Sequence, residues 1–150
     1  MNVKSYLLQV RKCDMTIDRK LLERQRLMGM ALSITAQIKE DGASGGGGAS
    51  DKLGDAVAKI VDLDAEIDRQ IDKLVDLKRK IISTIDEMDG QLSEVLSKRY
   101  LEYDAANGYK LKSWERIAVE MGFTYQWVCK LHGYALQEFE RKINAKDTEG

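Results

Sequence analysis

Ile60, Ile67, Leu74, Ile81 and Met88 stand seven residues apart, and this repeat restricts the fold more than any other feature of the chain. Seven residues make almost two helical turns, so the repeat draws an apolar stripe along one side of a long helix. Leu63, Ile71, Leu77 and Ile85 flank that stripe. Each aliphatic side chain fully buried contributes roughly 1.5–3 kcal/mol, so a stripe of this length requires a helical partner. The chain contains no proline, and nothing interrupts a helix expected from about Asp55 to Met88.

The nearest candidate partner is the segment before it. Val3, Tyr6, Leu7, Val10, Cys13, Ile17, Leu21, Leu27, Met28, Ala31, Ile34 and Ile38 recur at helical spacing over residues 1–40. Between the two helices, "EDGASGGGGASDKLGD" reads as a glycine-rich connector with its loop at 41–54. The simplest architecture for 1–90 is an antiparallel helical hairpin. Charge favours this pairing: residues 1–40 hold eight basic and four acidic side chains, whereas 51–90 hold seven basic and eleven acidic. Each exposed ion pair is worth only ~0–1 kcal/mol, so the apolar seam remains the larger contribution. The same seams would also serve an intermolecular coiled coil. Asp89-Gly90 is expected to close the second helix.

Composition excludes several functional classes. Cys13 and Cys129 are far apart and His132 is the single histidine, too few ligands for a structural zinc site and no basis for a disulfide framework. No metal or other cofactor is expected. The N-terminus lacks a signal-peptide pattern and no segment has the apolar length of a membrane span, so the expected location is the cytoplasm, with no membrane partner. His132 has no nucleophile and orienting carboxylate that can be assigned to it, and an enzyme is not expected. Asp62, Asp64, Asp68, Asp72 and Asp76 alternate with lysines at helical spacing and read as a solvated face with local ion pairs.

Residues 91–143 form a third region. Leu92, Val95, Leu96, Tyr100 and Leu101 give a short helix, and "DAANGYK" reads as a loop with a turn at Asn107-Gly108. The stretch "SWERIAVEMGFTYQWVCKLHGYAL" then places Ser113 as an N-cap and Glu115 in a first turn. Trp114, Ile117, Ala118 and Met121 share one apolar face. Gly122 falls at the turn and Thr124 is the next N-cap. Val128, Leu131, Ala135, Leu136 and Phe139 face inward from a second helix. This register is that of a helix-turn-helix.

In such a unit the second helix enters the major groove, and Tyr125, Gln126, Cys129 and Lys130 are the expected base-contacting residues. Lys110, Lys112, Arg116, Thr124 and His132 are expected at phosphates. The chain carries 24 basic and 25 acidic side chains, with a net charge of −1. Its acids concentrate in the second long helix, which leaves the C-terminal region free to be locally basic.

"GDAVAKIVDLDAEIDRQIDKLVDLKRKI", "LSKRYLE" and "SWERIAVEMGFTYQWVCKLHGYALQEF" resemble small transcription regulators of Gram-positive phages and prophages, of the RinA/ArpU type. Their C-terminal module is similar to the fourth region of bacterial sigma factors. The resemblance covers about residues 53–140 and is most specific in the last thirty. It implies a phage-encoded, sequence-specific regulator acting in a bacterial host. None of the four base-facing positions is arginine, so a sigma factor's base preference does not carry over. The loop "EYDAANGYKLK" is also longer than the usual connection before this motif.

The expected fold is all-α: a long antiparallel hairpin (1–90), a helix-turn-helix domain (91–143) and a flexible tail (144–150). The expected partners are double-stranded promoter DNA and, through the hairpin, a second copy of the chain or host RNA polymerase. Two alternatives share the motif, a DNA-packaging adaptor resembling a small terminase subunit and a module that docks on a host protein without binding DNA.

Overall fold

The computed structural model describes residues 2–41, 47–102 and 110–149. The described residues are almost entirely helical and include no β-strand. Two long helices, α1 (Val3–Asp41) and α2 (Gly47–Asp86), precede α3 (Gly90–Leu96), a π-helical turn (Ser97–Leu101), α4 (Trp114–Met121) and α5 (Tyr125–Glu149). No helix among the described residues is long and apolar enough to cross a membrane.

The described residues group into two compact units, and both boundaries fall within the long helices. One unit combines Met1–Asp14 with Leu74–Gly150, and the other is Met15–Lys73. The division expected at residue 90 is therefore not the one observed. Val3, Leu7 and Val10 of α1, Ile81, Ile85 and Met88 of α2, and the apolar faces of α3, α4 and α5 form a single core in the first unit. The ends of the long helices are needed to cover α5, whose Phe139 and Ile143 are fully buried there.

In the second unit α1 and α2 run antiparallel. Lys20 pairs with Glu66 at 2.7 Å and Arg24 with Asp64 at 2.5 Å, so later residues of α1 meet earlier residues of α2. Ala56, Ile60 and Ile67 of α2 and Leu27 of α1 are buried, and Leu63 is half-buried. The heptad stripe thus lies in the seam. Leu21 and Met28, expected in the seam of α1, are exposed instead.

Three local expectations are corrected. The connector expected at 41–54 is shorter, because α1 extends to Asp41 and α2 begins at Gly47. A helix tolerates single glycines at a cost of ~1 kcal/mol each. Residues 42–46 lie outside the described residues, as does the turn at Asn107-Gly108. Asp89 and Gly90 open α3 rather than closing α2. The Asp89 carboxylate accepts from the Gly90 N–H at 2.8 Å, and Gly122 is the sole glycine with positive φ among the described residues. The expected tail at 144–150 is helical through Glu149, since Lys146 pairs with Glu87 at 3.0 Å and Asp147 with Lys80 at 2.9 Å.

Candidate nucleic-acid interface

The connection between α4 and α5 is built by local hydrogen bonds from residue types suited to them. Ser113 precedes α4 in extended conformation, and its hydroxyl accepts from the Arg116 N–H at 3.1 Å. This satisfies one of the amide donors a helix start leaves without an intrahelical partner. Gly122 ends α4 with φ 71° and ψ 30°, a left-handed conformation costly to any residue bearing a Cβ. Phe123 then donates its N–H to the Ala118 carbonyl at 3.0 Å. The Thr124 hydroxyl accepts from the Trp127 N–H at 3.2 Å and caps α5. A Gly122→Ala substitution meets no neighbouring atom but must adopt the left-handed backbone. It should destabilise the first unit by ~1–2 kcal/mol, measurable as a lower urea midpoint at unchanged slope.

Ile117, Ala118, Val128, Leu131 and Ala135 are buried, which turns the opposite side of early α5 outward. Tyr125, Gln126 and Lys130 are exposed there and Cys129 is half-buried. Tyr125 and Cys129 are four residues apart, and the neighbouring Cys129 thiol raises the Tyr125 pKa. Lys110 and Arg116 are also exposed, with Arg116 Nε 3.6 Å from Glu120. Two apolar side chains absent from the expected set are also exposed on these helices: Val119 of α4 at 81% and Trp127 of α5 at 40%.

Two residues expected at phosphates are not on the surface. Lys112 is buried, with its ammonium 3.0 Å from Glu102 and 2.9 Å from Glu120. Burial works to lower its pKa, but hydrogen bonds to Glu120 and Glu102 outweigh burial and leave the pKa raised. Glu120 also receives Lys98 at 3.4 Å, and these bonds, that from Lys112 foremost, hold its carboxyl below the ordinary value. Lys112 is thus an internal charge that fastens the segment before α4 to α4 itself.

His132 is buried as well, its Nε2 2.7 Å from the Tyr100 hydroxyl. Its ring lies 4.4 Å from that of Trp114, and the Arg99 guanidinium sits over the Trp114 ring, 4.3 Å from its centre. Arg99 also donates to the Lys112 carbonyl at 2.5 Å. Burial, then the charges of Lys4 and Arg99, push the His132 pKa down to about 4. The imidazole is neutral at pH 7 and supplies no cation to a phosphate. Its spacing carried a signal, since Val128, His132, Ala135 and Phe139 share one helical face. Neither Arg99 nor Tyr100, both in the π-helical turn, has a local pattern that marks it for this cluster.

What remains outward is a helix start with amide and phenol donors, an exposed cationic arm at Lys130, and the exposed Lys110 and Arg116. Such a surface can hydrogen-bond base edges and approach a polyanion with the positive end of α5. Comparison with family models, with characterised proteins and with solved structures finds no match to this chain.

Proposed function

We propose that the chain is a sequence-specific DNA-binding transcription regulator of the phage type, and that α5 enters the major groove from its N-terminal end. The observation that carries the reading is the α4–α5 connection: two capped helices joined through a left-handed Gly122, with Tyr125, Gln126 and Lys130 exposed beyond the joint. A helix-turn-helix reads DNA with this part of its second helix. Gln126 pairs with an adenine edge, Lys130 donates to guanine acceptors, and Tyr125 and Cys129 line the same strip. Lys110, Arg116 and Thr124 hold phosphates, and Lys112 and His132 act only by shaping the module. The α1–α2 pair serves assembly or contact with host RNA polymerase.

The direct test is selection of bound fragments from a digest of the source genome at two salt concentrations. Enrichment of a few intergenic fragments, weakening with salt, is the expected result. Alanine at Gln126 or Lys130 should then cost ~1–3 kcal/mol of specific affinity for each lost bidentate contact. Retention of no fragment at either salt overturns the reading. One observation favours a second reading, docking on a protein: Val119 of α4 and Trp127 of the proposed reading helix itself are exposed apolar side chains. Under that reading Val119→Asp abolishes capture of the protein partner, and no salt-dependent DNA retention is seen.

A further inference from the structure

Gly29 lies in the interior of α1, where glycine weakens a helix relative to alanine. Nothing in the chain requires it: a Cβ there meets no atom within 4 Å, and φ is not positive. Its surroundings supply a reason. Leu21, Leu22, Met28 and Leu32 are exposed around it, Leu22 at 61% and Leu32 at 65%. Gln25 and Ala36 complete an exposed strip, which Thr35 borders, with no charge between Asp18 and Lys39.

The strip continues onto α2. Leu21 and Met28 lie one turn either side of Arg24, and Val57 and Val61 lie two turns and one turn from Asp64. The Arg24–Asp64 pair joins the helices, so it marks a flank that both sets share. Val57 and Val61 are exposed there, with Ala58 beside them. The other flank carries the Lys20–Glu66 pair together with Glu23, Arg26, Lys59 and Arg69. The first flank thus exposes Leu21, Met28, Val57 and Val61 around the Arg24–Asp64 pair and Asp68, whereas the second is mostly charged, with Met30 exposed beside Arg26.

We infer that a second copy of this chain packs on the first flank, with the two α1 helices antiparallel and crossing at Gly29. The strip is complementary to itself in that orientation. Alignment about Met28 and Gly29 sets Leu21 against Ala36, Leu22 against Thr35 and Gln25 against Leu32. At each end it sets Asp18 against Lys39 of the second copy, so opposite charges close both ends of an uncharged contact about 32 Å long. Glycine at the centre lets the two backbones approach closely, and α2 with Val57, Ala58 and Val61 completes a four-helix arrangement. This two-fold relation makes one surface serve both copies. It concerns the long helices alone and holds whether or not α5 binds DNA.

Sedimentation equilibrium of the full chain tests the inference. A dimer is expected for the unaltered protein, and Gly29→Gln should raise its dissociation constant at least ~tenfold. That substitution improves helix propensity and meets no atom of its own chain, so circular dichroism should show helix retained. Asp18→Lys should weaken the dimer, and Asp18→Lys combined with Lys39→Asp should restore it. A monomer at all concentrations overturns the inference, and so does a dimer unaffected by Gly29→Gln. Dimerisation lost in Asp18→Lys but not regained in the double variant overturns the antiparallel register.

Discussion

Phe139→Ala should lower the stability of the first unit by ~3–5 kcal/mol, the range for truncating a large aromatic in a packed core. Phe139 is fully buried on α5, and its ring centre lies 6.0 Å from that of Tyr6 on α1. The rings are tilted by 44°, a geometry in which the positive edge of one meets the negative face of the other. The core around Phe139 is assembled from separate pieces of chain: Val3, Leu7 and Val10 near the start, Ile81 and Ile85 at the end of α2, and Val95 and Leu96 of α3. Such a site collapses poorly around a cavity, because each wall is held by its own helix. Urea unfolding followed by tryptophan fluorescence, for which Trp114 is half-buried against this unit, is the measurement. A loss below about 1 kcal/mol would mean that α5 is not anchored by this core.

The difference between what was legible in the sequence and what was not follows from distance along the chain. The seam residues Ile60 and Ile67 announce themselves by a period of seven, and Ser113, Gly122 and Thr124 by side-chain types that act on atoms three to five residues away. Their roles are local, and the caps and turn form with the partners expected. Lys112 is different: its partners Glu102 and Glu120 flank it in sequence at no spacing that a helix or turn would recognise. Its burial follows only once the π-helical turn and α4 have converged. His132 was readable as an inward residue from the 128–132–135–139 spacing, but its chemistry suggested a surface role and masked the periodicity. The helical start at Gly47 runs against the propensity of glycine, and no local pattern announces it. Gly29 is the converse, a residue whose cost in its own helix is explained only by a surface outside it.

Acidification from pH 7.5 to pH 4.5 should cost the first unit ~2.5 kcal/mol through His132 alone. In the unfolded chain this imidazole takes up its proton near the ordinary 6.5, whereas in the fold it does so only at about 4. Between those values the unfolded state binds more protons, so stability rises with pH across the window and is lost as pH falls. Above about pH 7.5 the group is neutral in both states and contributes no slope. Burial is the main cause, and the cations nearest it, Lys4 of α1 and Arg99 of the π-helical turn, add to it. No carboxylate is among the causes of the shift, so the bond to the Tyr100 hydroxyl is made by the neutral ring. The depressed carboxyls of Glu120 and Glu66 act in a lower window: they stabilise the fold above 4.5 and lose that contribution as pH falls through their folded values. The interval from 7.5 to about 5.5, above the range in which unfolded glutamates begin to take up protons, therefore isolates the histidine. His132→Gln preserves a hydrogen-bonding partner for Tyr100 and removes the titration, so urea midpoints of this variant should change little over the interval while those of the unaltered chain fall. Equal losses in both proteins would show that the proton goes elsewhere, and no loss in either would place His132 in contact with solvent.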